Sequence, residues 1–450
     1  MNDEDPDEDK PDDGLPDFSH LGDQMRQFLD ANGNLDLNKL MGGLQSALGR
    51  LAVGTDQSSG MDWQTTTANI KRLVAGQGDD PVPAGVPSDM IDAFGLANRW
   101  LDDATTFPGD TLRLEAWNRA RWVDQTMHAW RSMCAPIVVS LGDALVALST
   151  DNLTEDAPPE LGPLADMLKP VMRSTAGQFY AARLSQAIAE LAGTTLSGTD
   201  AALPLVPPPV VAMLPGNMAT FTAGPAVPAT DTSVFLLARE CARQRLFAAT
   251  PWLGPQILAL IEHYARDITI DPDALRQGFD MESLTDMNPE RLAEISGQMQ
   301  DRMFRPATTD EQKAVLTRLE TLVCLVEGWV DTVVAQAAGP WLGSVSALAE
   351  MIQRRRVTQG PAERALSSLV GIELRSRRIR DAANLWAALQ HDRGTTARDA
   401  LWGHPDMLPQ AGDLDDVMGF VASTGSEAKP DAMDAELDWL VEQWRQDDQP

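Results

Sequence analysis

The segment 310–338 most constrains the fold, because it places acidic side chains beside the apolar face of one long helix. Its apolar residues recur at helical spacing and form a wide face made by Leu319, Leu322, Val323, Val326, Val330 and Val333. A stripe beside that face, at i, i+4, i+7 and i+11, consists of Glu320, Cys324, Glu327 and Asp331. Because an unpaired buried charge is costly, these three carboxylates must either face solvent or pair with positively charged groups.

Helix-start signals and apolar periodicity predict a mainly α-helical body. Three sites place an N-cap residue before a proline at the first helical position: Thr250-Pro251, Asp271-Pro272 and Asn288-Pro289. Thr308 with Glu311 has the spacing of a capping box ahead of the helix 310–338. Proline and glycine cluster between Leu203 and Pro228, where the segment 209–214 could form a strand or a loop. The sequence therefore predicts helices with at most a small sheet.

Composition excludes several classes of protein. A formal charge of −30 argues against sequence-independent binding of nucleic acid, because most of the surface would repel a phosphate backbone. Three scattered cysteines are too few for a disulfide framework. The longest apolar stretch, 133–149, is interrupted by Pro136 and Asp143 and has helical periodicity, so it is expected to be a core helix and not a membrane span. With no secretory signal at the N-terminus, a soluble cytoplasmic protein is predicted.

The two ends of the chain differ from its body, so the sequence divides into three parts, 1–60, 61–420 and 421–450. Residues 1–13 contain eight acidic residues and one lysine without apolar periodicity, as in a disordered tail, and an amphipathic arm follows at 35–51. Behind a flexible linker, an acidic amphipathic helix is predicted with an apolar face formed by Met433, Leu437, Leu440, Val441 and Trp444. This helix either docks on the protein's own core or binds a partner.

A basic island lies between residues 354 and 380. Its eight arginines are Arg354, Arg355, Arg356, Arg364, Arg375, Arg377, Arg378 and Arg380. A nucleic-acid surface would need stacking aromatic residues between these charges, and the segment 352–385 contains none. The island is therefore expected to clamp the acidic tails within the molecule.

Residues 239–243 follow the spacing of the zinc-protease motif His-Glu-x-x-His, with arginine at both histidine positions. In that motif, residues four apart share a helix face, so two imidazoles bind one Zn²⁺ while the glutamate acts as general base. Here Glu240 is present, but Arg239 and Arg243 replace the histidines. A guanidinium has five N–H donors and no acceptor, so it cannot ligate a cation. Either zinc chemistry has been lost, or the chemistry is of another kind.

Segments around this motif carry a resemblance to a known family. They are Leu-Ser-Gly-Thr-Asp at 196–200, Arg-Leu-Phe-Ala at 245–248, Pro-Trp-Leu at 251–253, and the segments 311–322, 326–331 and 399–409. Over about residues 60–420 the sequence resembles the actinobacterial zincin-like metallopeptidase family, whose members are described as hydrolases or zinc-dependent metalloproteases. The resemblance implies a zincin-like helical domain with zinc as cofactor. It places Glu240 at the general-base position and Glu327 at the third zinc ligand, and Trp329 where related branches often have histidine.

Two hypotheses account for the arginines of the motif. In the first, they lie on a solvated helix face and the acidic stripe is surface charge. In the second, two guanidiniums replace the charge of Zn²⁺ and pair with Glu240 and Glu327, which would otherwise repel each other in a partly dry cleft. The second hypothesis predicts that Arg239 or Arg243 lies within salt-bridge distance of Glu327, Glu320 or Asp331.

Few other residues could ligate zinc. None of the five histidines is four residues from another, although His263, on the helix after the motif, could approach the cleft. Cys241 points away from the motif positions, since each residue turns a helix by about 100°, and is expected to be a small buried residue. A site of Cys241, His263 and Glu327 remains as an alternative.

These observations predict a member of a zinc-dependent metallopeptidase (hydrolase) family with a degenerate zinc motif, so no conventional zinc cofactor is expected. One alternative is a non-catalytic binding or scaffold protein that retains the cleft for a peptide or a protein. A second alternative is an active hydrolase with rearranged ligands. Neither nucleic acid nor a membrane is expected as a partner.

Overall fold

The computed structural model describes residues 60–82, 85–154, 162–200, 203–223, 227–266, 309–357, 360–370, 372 and 378–424. All of them lie within the compact unit Asp56–Pro450. The predicted acidic tail and amphipathic arm, the helix starts at Asp271 and Asn288, and the predicted C-terminal helix lie outside the described residues.

The described part of the chain contains twelve α-helices and two short strands. In chain order these are α1 (Trp63–Gly76), α2 (Ser88–Asp102), β1 (Arg113–Ala116), α3 (Arg119–Thr154), α4 (Gly162–Thr194), β2 (Val210–Met213), α5 (Pro215–Thr222), α6 (Ala229–Ala249), α7 (Leu253–Arg266), α8 (Asp310–Ala338), α9 (Val345–Val357), α10 (Pro361–Val370), α11 (Arg378–Ala400) and α12 (Val417–Ser423). Two 3₁₀ turns, Leu401–Gly403 and Pro405–Met407, follow α11. The predicted fold class, mainly α with at most a small sheet, is confirmed.

The two strands form a parallel pair, with Arg113 opposite Val210 and Ala116 opposite Met213. Ser197 adds an isolated antiparallel bridge to Met213. Parallel strands need a long crossover, and here it contains α3 and α4. β2 lies in the Pro-rich region where a strand or a loop was predicted, so the strand interpretation is confirmed. This pairing holds the Leu-Ser-Gly-Thr-Asp segment beside the helix α6.

Helix α6 lies at the centre of the fold. Its residues 234–247 are buried on every side, which is the pattern of a helix enclosed by other elements rather than one that covers a core. It packs against α2, α8 and β2. Any polar side chain on α6 must therefore find its partners inside the protein, because an unpaired buried charge is costly.

Helix α8 has the predicted bounds, and its N-cap lies one residue later than predicted. The side chain of Thr309, not Thr308, accepts a hydrogen bond from the Gln312 N–H. α8 packs against α6, α7 and α11. At Gly328 it approaches α11 so closely that a Cβ would lie 2.6 Å from the backbone nitrogen of Ala383.

By length and composition alone, two described helical segments could cross a membrane, Arg119–Ala147 and Asp310–Ala338. The apolar window is 72% buried inside the protein in Asp310–Ala338 and 44% buried in Arg119–Ala147. The predicted core stretch of α3 contributes Met133, Ile137, Val138 and Leu141 to the buried core. Asp310–Ala338 is therefore a core helix, and part of Arg119–Ala147 also packs in the core.

Candidate functional site

The motif residues of α6 lie in the interior. Arg239 and Arg243 are each 3% exposed and Glu240 is fully buried. Because residues four apart share a helix face, both guanidiniums point toward the acidic stripe of α8. The hypothesis that these arginines lie on a solvated surface is therefore wrong.

Both arginines bind the same carboxylate, that of Glu327. Arg239 Nη2 lies 2.7 Å from Glu327 Oε2, and Arg243 Nε lies 2.7 Å from Glu327 Oε1. Arg243 Nη2 makes a second bond of 3.2 Å to Oε2, so this pair is bidentate. Arg239 Nη1 also donates to Asp331 Oδ1 at 2.5 Å. The predicted salt bridges between α6 and α8 are confirmed.

Two arginines of the basic island complete the site from α9. Arg356 donates to Glu327 Oε2 through Nη2 and to Asp331 Oδ2 through Nη1, the latter at 2.8 Å. Arg355 Nη1 donates to Asp200 Oδ2 at 2.9 Å. Arg355 and Arg356 therefore pair with carboxyl groups of the body. The acidic tails lie outside the described residues, so the clamp between them and the basic island stays a prediction.

Glu240 is bound by the Leu-Ser-Gly-Thr-Asp segment. Its Oε2 accepts from Ser197 Oγ at 2.7 Å and from Thr199 Oγ1 at 2.8 Å, and its Oε1 accepts from the Thr199 N–H at 3.2 Å. Arg243 Nη1 is farther away, at 3.4 Å from Oε2. The Glu240 carboxylate is therefore held by two hydroxyls and a backbone N–H.

We call these eight residues the ion cluster; they are Arg239, Arg243, Arg355, Arg356, Asp200, Glu240, Glu327 and Asp331. Four guanidiniums face four carboxyl groups, so the ion cluster is balanced in charge when all are ionised. The two central carboxyls differ in their electrostatics. Burial would raise the pKa of Glu327, but Arg243, Arg356 and Arg239 outweigh it and hold that pKa well below its usual range. Burial raises the pKa of Glu240, although Arg243 and the Ser197 and Thr199 hydroxyls oppose the shift.

A second buried network, not predicted from the sequence, lies next to the ion cluster on α8. Trp329 Nε1 donates to Asp399 Oδ1 at 3.0 Å, and Arg398 Nε donates to the same oxygen at 2.8 Å. The other oxygen of Asp399 accepts from Thr105 Oγ1 at 2.8 Å. Trp329 thus anchors the 399–409 segment.

Two cavities adjoin the ion cluster. A small one of about 40 Å³ is lined by Arg239, Arg243, Glu327, Arg355 and Arg356, among others. A larger one of about 490 Å³, which we call the helix cavity, lies between α6, α8, α9 and α11. Arg239 lines both cavities, and Asp331 lines the helix cavity, so the ion cluster contributes side chains to both spaces.

A family model described as zincin-like metallopeptidase matches residues 61–421, which is most of the chain. The chain belongs to the zincin-like metallopeptidase family. Among solved structures it is similar to one from Chloroflexus aurantiacus described as "a putative hydrolase with a novel fold", with a TM-score of 0.52 and 17% identity over 82% of this chain and 100% of that one. That likeness shows a shared fold. No curated protein sequence matches the chain.

The zinc ion that this zincin-like metallopeptidase family implies does not fit the residues at the ligand positions. Arg239 and Arg243 have no lone pair to offer, and both oxygens of Glu327 already accept from guanidiniums. Within the described ranges, no group of three or more histidine, cysteine or acidic side chains could hold a metal ion.

The two alternative ligands, Cys241 and His263, do not form a metal site with the other described residues. Cys241 is fully buried among apolar residues, and burial raises the pKa of its thiol well above the usual range. The His263 side chain is 46% exposed on α7, with Nε2 3.9 Å from Glu311 Oε1. The structure therefore brings Arg239, Glu240, Arg243 and Glu327 together, and it does not group Cys241 and His263 with them as a metal site.

Proposed function

We propose that this zincin-like metallopeptidase family member has a degenerate zinc motif and acts as a non-catalytic binding or scaffold protein. The observation that carries the proposal is the carboxylate of Glu327, the family's third-ligand position, bound by guanidiniums from Arg239, Arg243 and Arg356. These cations supply the positive charge that a Zn²⁺ ion would bring to two buried carboxyls. Zinc is accordingly not proposed as a cofactor.

The environment of Glu240 supports the same proposal. A general base must reach the proton it removes, directly or through one water. Both oxygens of Glu240 are instead occupied by Ser197 and Thr199, and the residue is fully buried. We assign Glu240 a structural role, in which it fixes the Leu-Ser-Gly-Thr-Asp segment to α6.

An active hydrolase with rearranged ligands is the second candidate function. The description of the family as metallopeptidases and that of the Chloroflexus aurantiacus protein as a hydrolase favour it. Such an enzyme would require Cys241, His263 and Glu327 to converge on a metal ion in another conformation. We place the protein in the cytoplasm in either case, because its three cysteines are buried and form no disulfide, as expected in a reducing compartment.

Metal analysis separates the two candidates. The purified chain is incubated with excess zinc, desalted, treated with a mild chelator and analysed for bound metal. We expect far less than one zinc per chain, because neither arginine can coordinate the ion. About one chelator-resistant zinc per chain, lost in a Cys241→Ala or His263→Ala variant, would establish the rearranged site and overturn the proposal.

A restored motif tests whether the ion cluster occupies the ancestral metal position. In the variant Arg239→His/Arg243→His, two imidazoles four residues apart join Glu327, which makes the three-residue ligand set of a zincin. We expect zinc to raise the melting temperature of this variant, through binding to the folded state, and to leave the wild type unchanged. The matched control Arg239→Gln/Arg243→Gln removes the same charges without adding ligands. A zinc response equal in both double variants would show that the histidines do not form the site.

A further inference from the structure

The helix cavity has an apolar floor and a polar wall. Its floor is built from apolar side chains: Phe235, Ala335, Val345, Ala349 and Ala383. Arg239 and Asp331, where the ion cluster reaches the cavity, neutralise each other. A volume of about 490 Å³ is in the range of spaces that enclose a small ligand or several side chains of a docked segment.

The wall formed by α11 carries the cavity's unneutralised charge. Arg380, Asn384, Ala387 and His391 recur at i, i+4, i+7 and i+11, so they lie on one helix face. Arg380 makes no ion pair with any residue in the described ranges, whereas Arg239 and Arg356 nearby are paired. The positive charge of Arg380 on this wall favours an occupant that has an apolar face and an acidic side chain beside it.

The chain itself supplies such a segment, and its last described helix lies beside this wall. Arg393 Nη2, on α11 two residues beyond His391, donates to the Val421 carbonyl of α12 at 2.9 Å. The described residues end at Thr424. Nine residues of extended chain then span about 30 Å, whereas the α11 face from His391 to Arg380 is about 16 Å long. Residues from Met433 onward can therefore reach the whole cavity.

The composition of residues 431–446 matches the cavity. Met433, Leu437, Leu440, Val441 and Trp444 fit one apolar helix face, and Asp434 and Asp438 flank that face at i and i+4. The other amphipathic segment, 35–51, contains a single acidic residue, Asp36, and lacks this charge complementarity.

We propose that residues 431–446 occupy the helix cavity of their own chain, with the apolar face on the alanine floor and Asp434 or Asp438 paired with Arg380. This inference rests on the proposed function, in which the cleft binds a segment and does not cleave it. It adds regulation to that function: an external partner must displace the chain's own acidic segment before it can enter the cavity.

Cysteine labelling in the full-length chain tests the proposal. The three native cysteines are buried, so a single introduced thiol reports its own accessibility. Ala387→Cys places the thiol in the cavity on an exposed helical position, and Ala219→Cys, on an exposed position of α5, is the matched control. We expect a maleimide to react at least tenfold more slowly with Ala387→Cys than with Ala219→Cys.

Release of the segment must reverse that protection. Adding Leu437→Asp and Leu440→Asp to Ala387→Cys is expected to raise the labelling rate to that of the control. Adding Arg380→Glu to Ala387→Cys is expected to raise the labelling rate in the same way. Adding Asp434→Arg/Asp438→Arg to that double variant is expected to restore protection, because the charges are then opposite again. Circular dichroism checks that each variant is folded.

Two results would overturn the docking proposal. The first is labelling of Ala387→Cys at the control rate in the full-length chain. The second is slow labelling that no substitution in residues 431–446 changes, because another occupant would then cover the cavity. Neither result bears on zinc content, so failure of this inference is distinguishable from failure of the proposed function.

Discussion

At the scale of the residue, the site is organised around Glu327. Three guanidiniums from two helices converge on this one carboxylate, and Asp331 shares two of them. Buried ion pairs contribute little net stability when compared with apolar replacements, but removing one partner is strongly destabilising because a charge is left unpaired. We therefore expect a substitution that removes one partner of a pair in the ion cluster to lower the stability of the protein strongly.

Truncating Arg243 tests this sensitivity. In Arg243→Ala, Glu327 loses its bidentate partner and Glu240 loses its nearest cation, so we expect the free energy of unfolding to fall by about 3 kcal/mol. Denaturant unfolding monitored by tryptophan fluorescence measures it. Arg266→Ala is the control, because its ion pair with Glu262 is largely exposed and its loss is expected to cost less than about 1 kcal/mol. Equal effects of the two substitutions would contradict a buried cluster.

The depressed pKa of Glu327 predicts an acid-dependent contribution to stability. A carboxyl whose pKa is lower in the folded state stabilises the protein above the unfolded value, which is about 4.3 for glutamate. That stability is lost as the pH falls toward the folded pKa. We expect the difference in unfolding free energy between wild type and Glu327→Gln to be constant from pH 7 to about 5 and to shrink below about 4. A difference that grows on acidification would mean that Glu327 is not held ionised by its arginines.

At the scale of the element, the position of α8 depends on its close approach to α11. An added Cβ at Gly328 would lie 2.7 Å from Ala382 Cβ and 2.6 Å from the Ala383 backbone nitrogen. Gly328→Ala must therefore push the two helices apart, and we expect a loss of roughly 1–3 kcal/mol, as for other overpacked interiors.

The same substitution on an open helix face is the control for Gly328. Gly95 lies in α2, and no atom lies within 4 Å of the Cβ that alanine would add. Gly95→Ala should stabilise the protein by roughly 0.5–1 kcal/mol, because alanine has the higher helix propensity. Thermal unfolding of both variants measures the difference, and two shifts of the same sign would refute the close-contact explanation.

The elements themselves could largely be predicted from the sequence. The bounds of α8 followed from its apolar face, although its N-cap is Thr309 and not the predicted Thr308. The apolar run behind Pro209 predicted either a strand or a loop, and β2 forms there. The site could be predicted only in part, since i,i+4 spacing indicates that Arg239 and Arg243 share a face and nothing local indicates what that face meets. Arg356 pairs with Glu327, 29 residues before it, and Asp399 pairs with Trp329, 70 residues before it. Pairings between residues so far apart leave no periodic pattern in the sequence. A signal did exist for Ser197 and Thr199, because their segment is part of the family resemblance.

At the scale of the whole molecule, the resemblance segments meet around α6 and α8. The 196–200 segment binds Glu240, and the 399–409 segment binds Trp329 through Asp399. Arg245 of the 245–248 segment is buried and donates to Asn98 and to the Phe107 carbonyl. Each of these segments therefore makes a buried polar contact with α2, α6 or α8.

The net charge of −30 governs the stability of the molecule as a whole. Like charges on the surface repel one another across the compact state, and salt screens this repulsion as the Debye length falls from about 30 Å at 0.01 M to about 8 Å at 0.15 M. We therefore expect the melting temperature of the wild type to rise over this range of sodium chloride concentration.

The ion cluster should respond differently to salt, because buried pairs are screened much less than exposed charges. Wild type and Arg243→Ala are expected to rise in parallel, so that the gap between their melting temperatures stays constant within about 1 °C. Potassium chloride at the same ionic strength is the control, since screening does not depend on the cation. If the gap closes as salt is added, the Arg243–Glu327 pair is solvated, and the ion cluster cannot stand in for a buried metal ion.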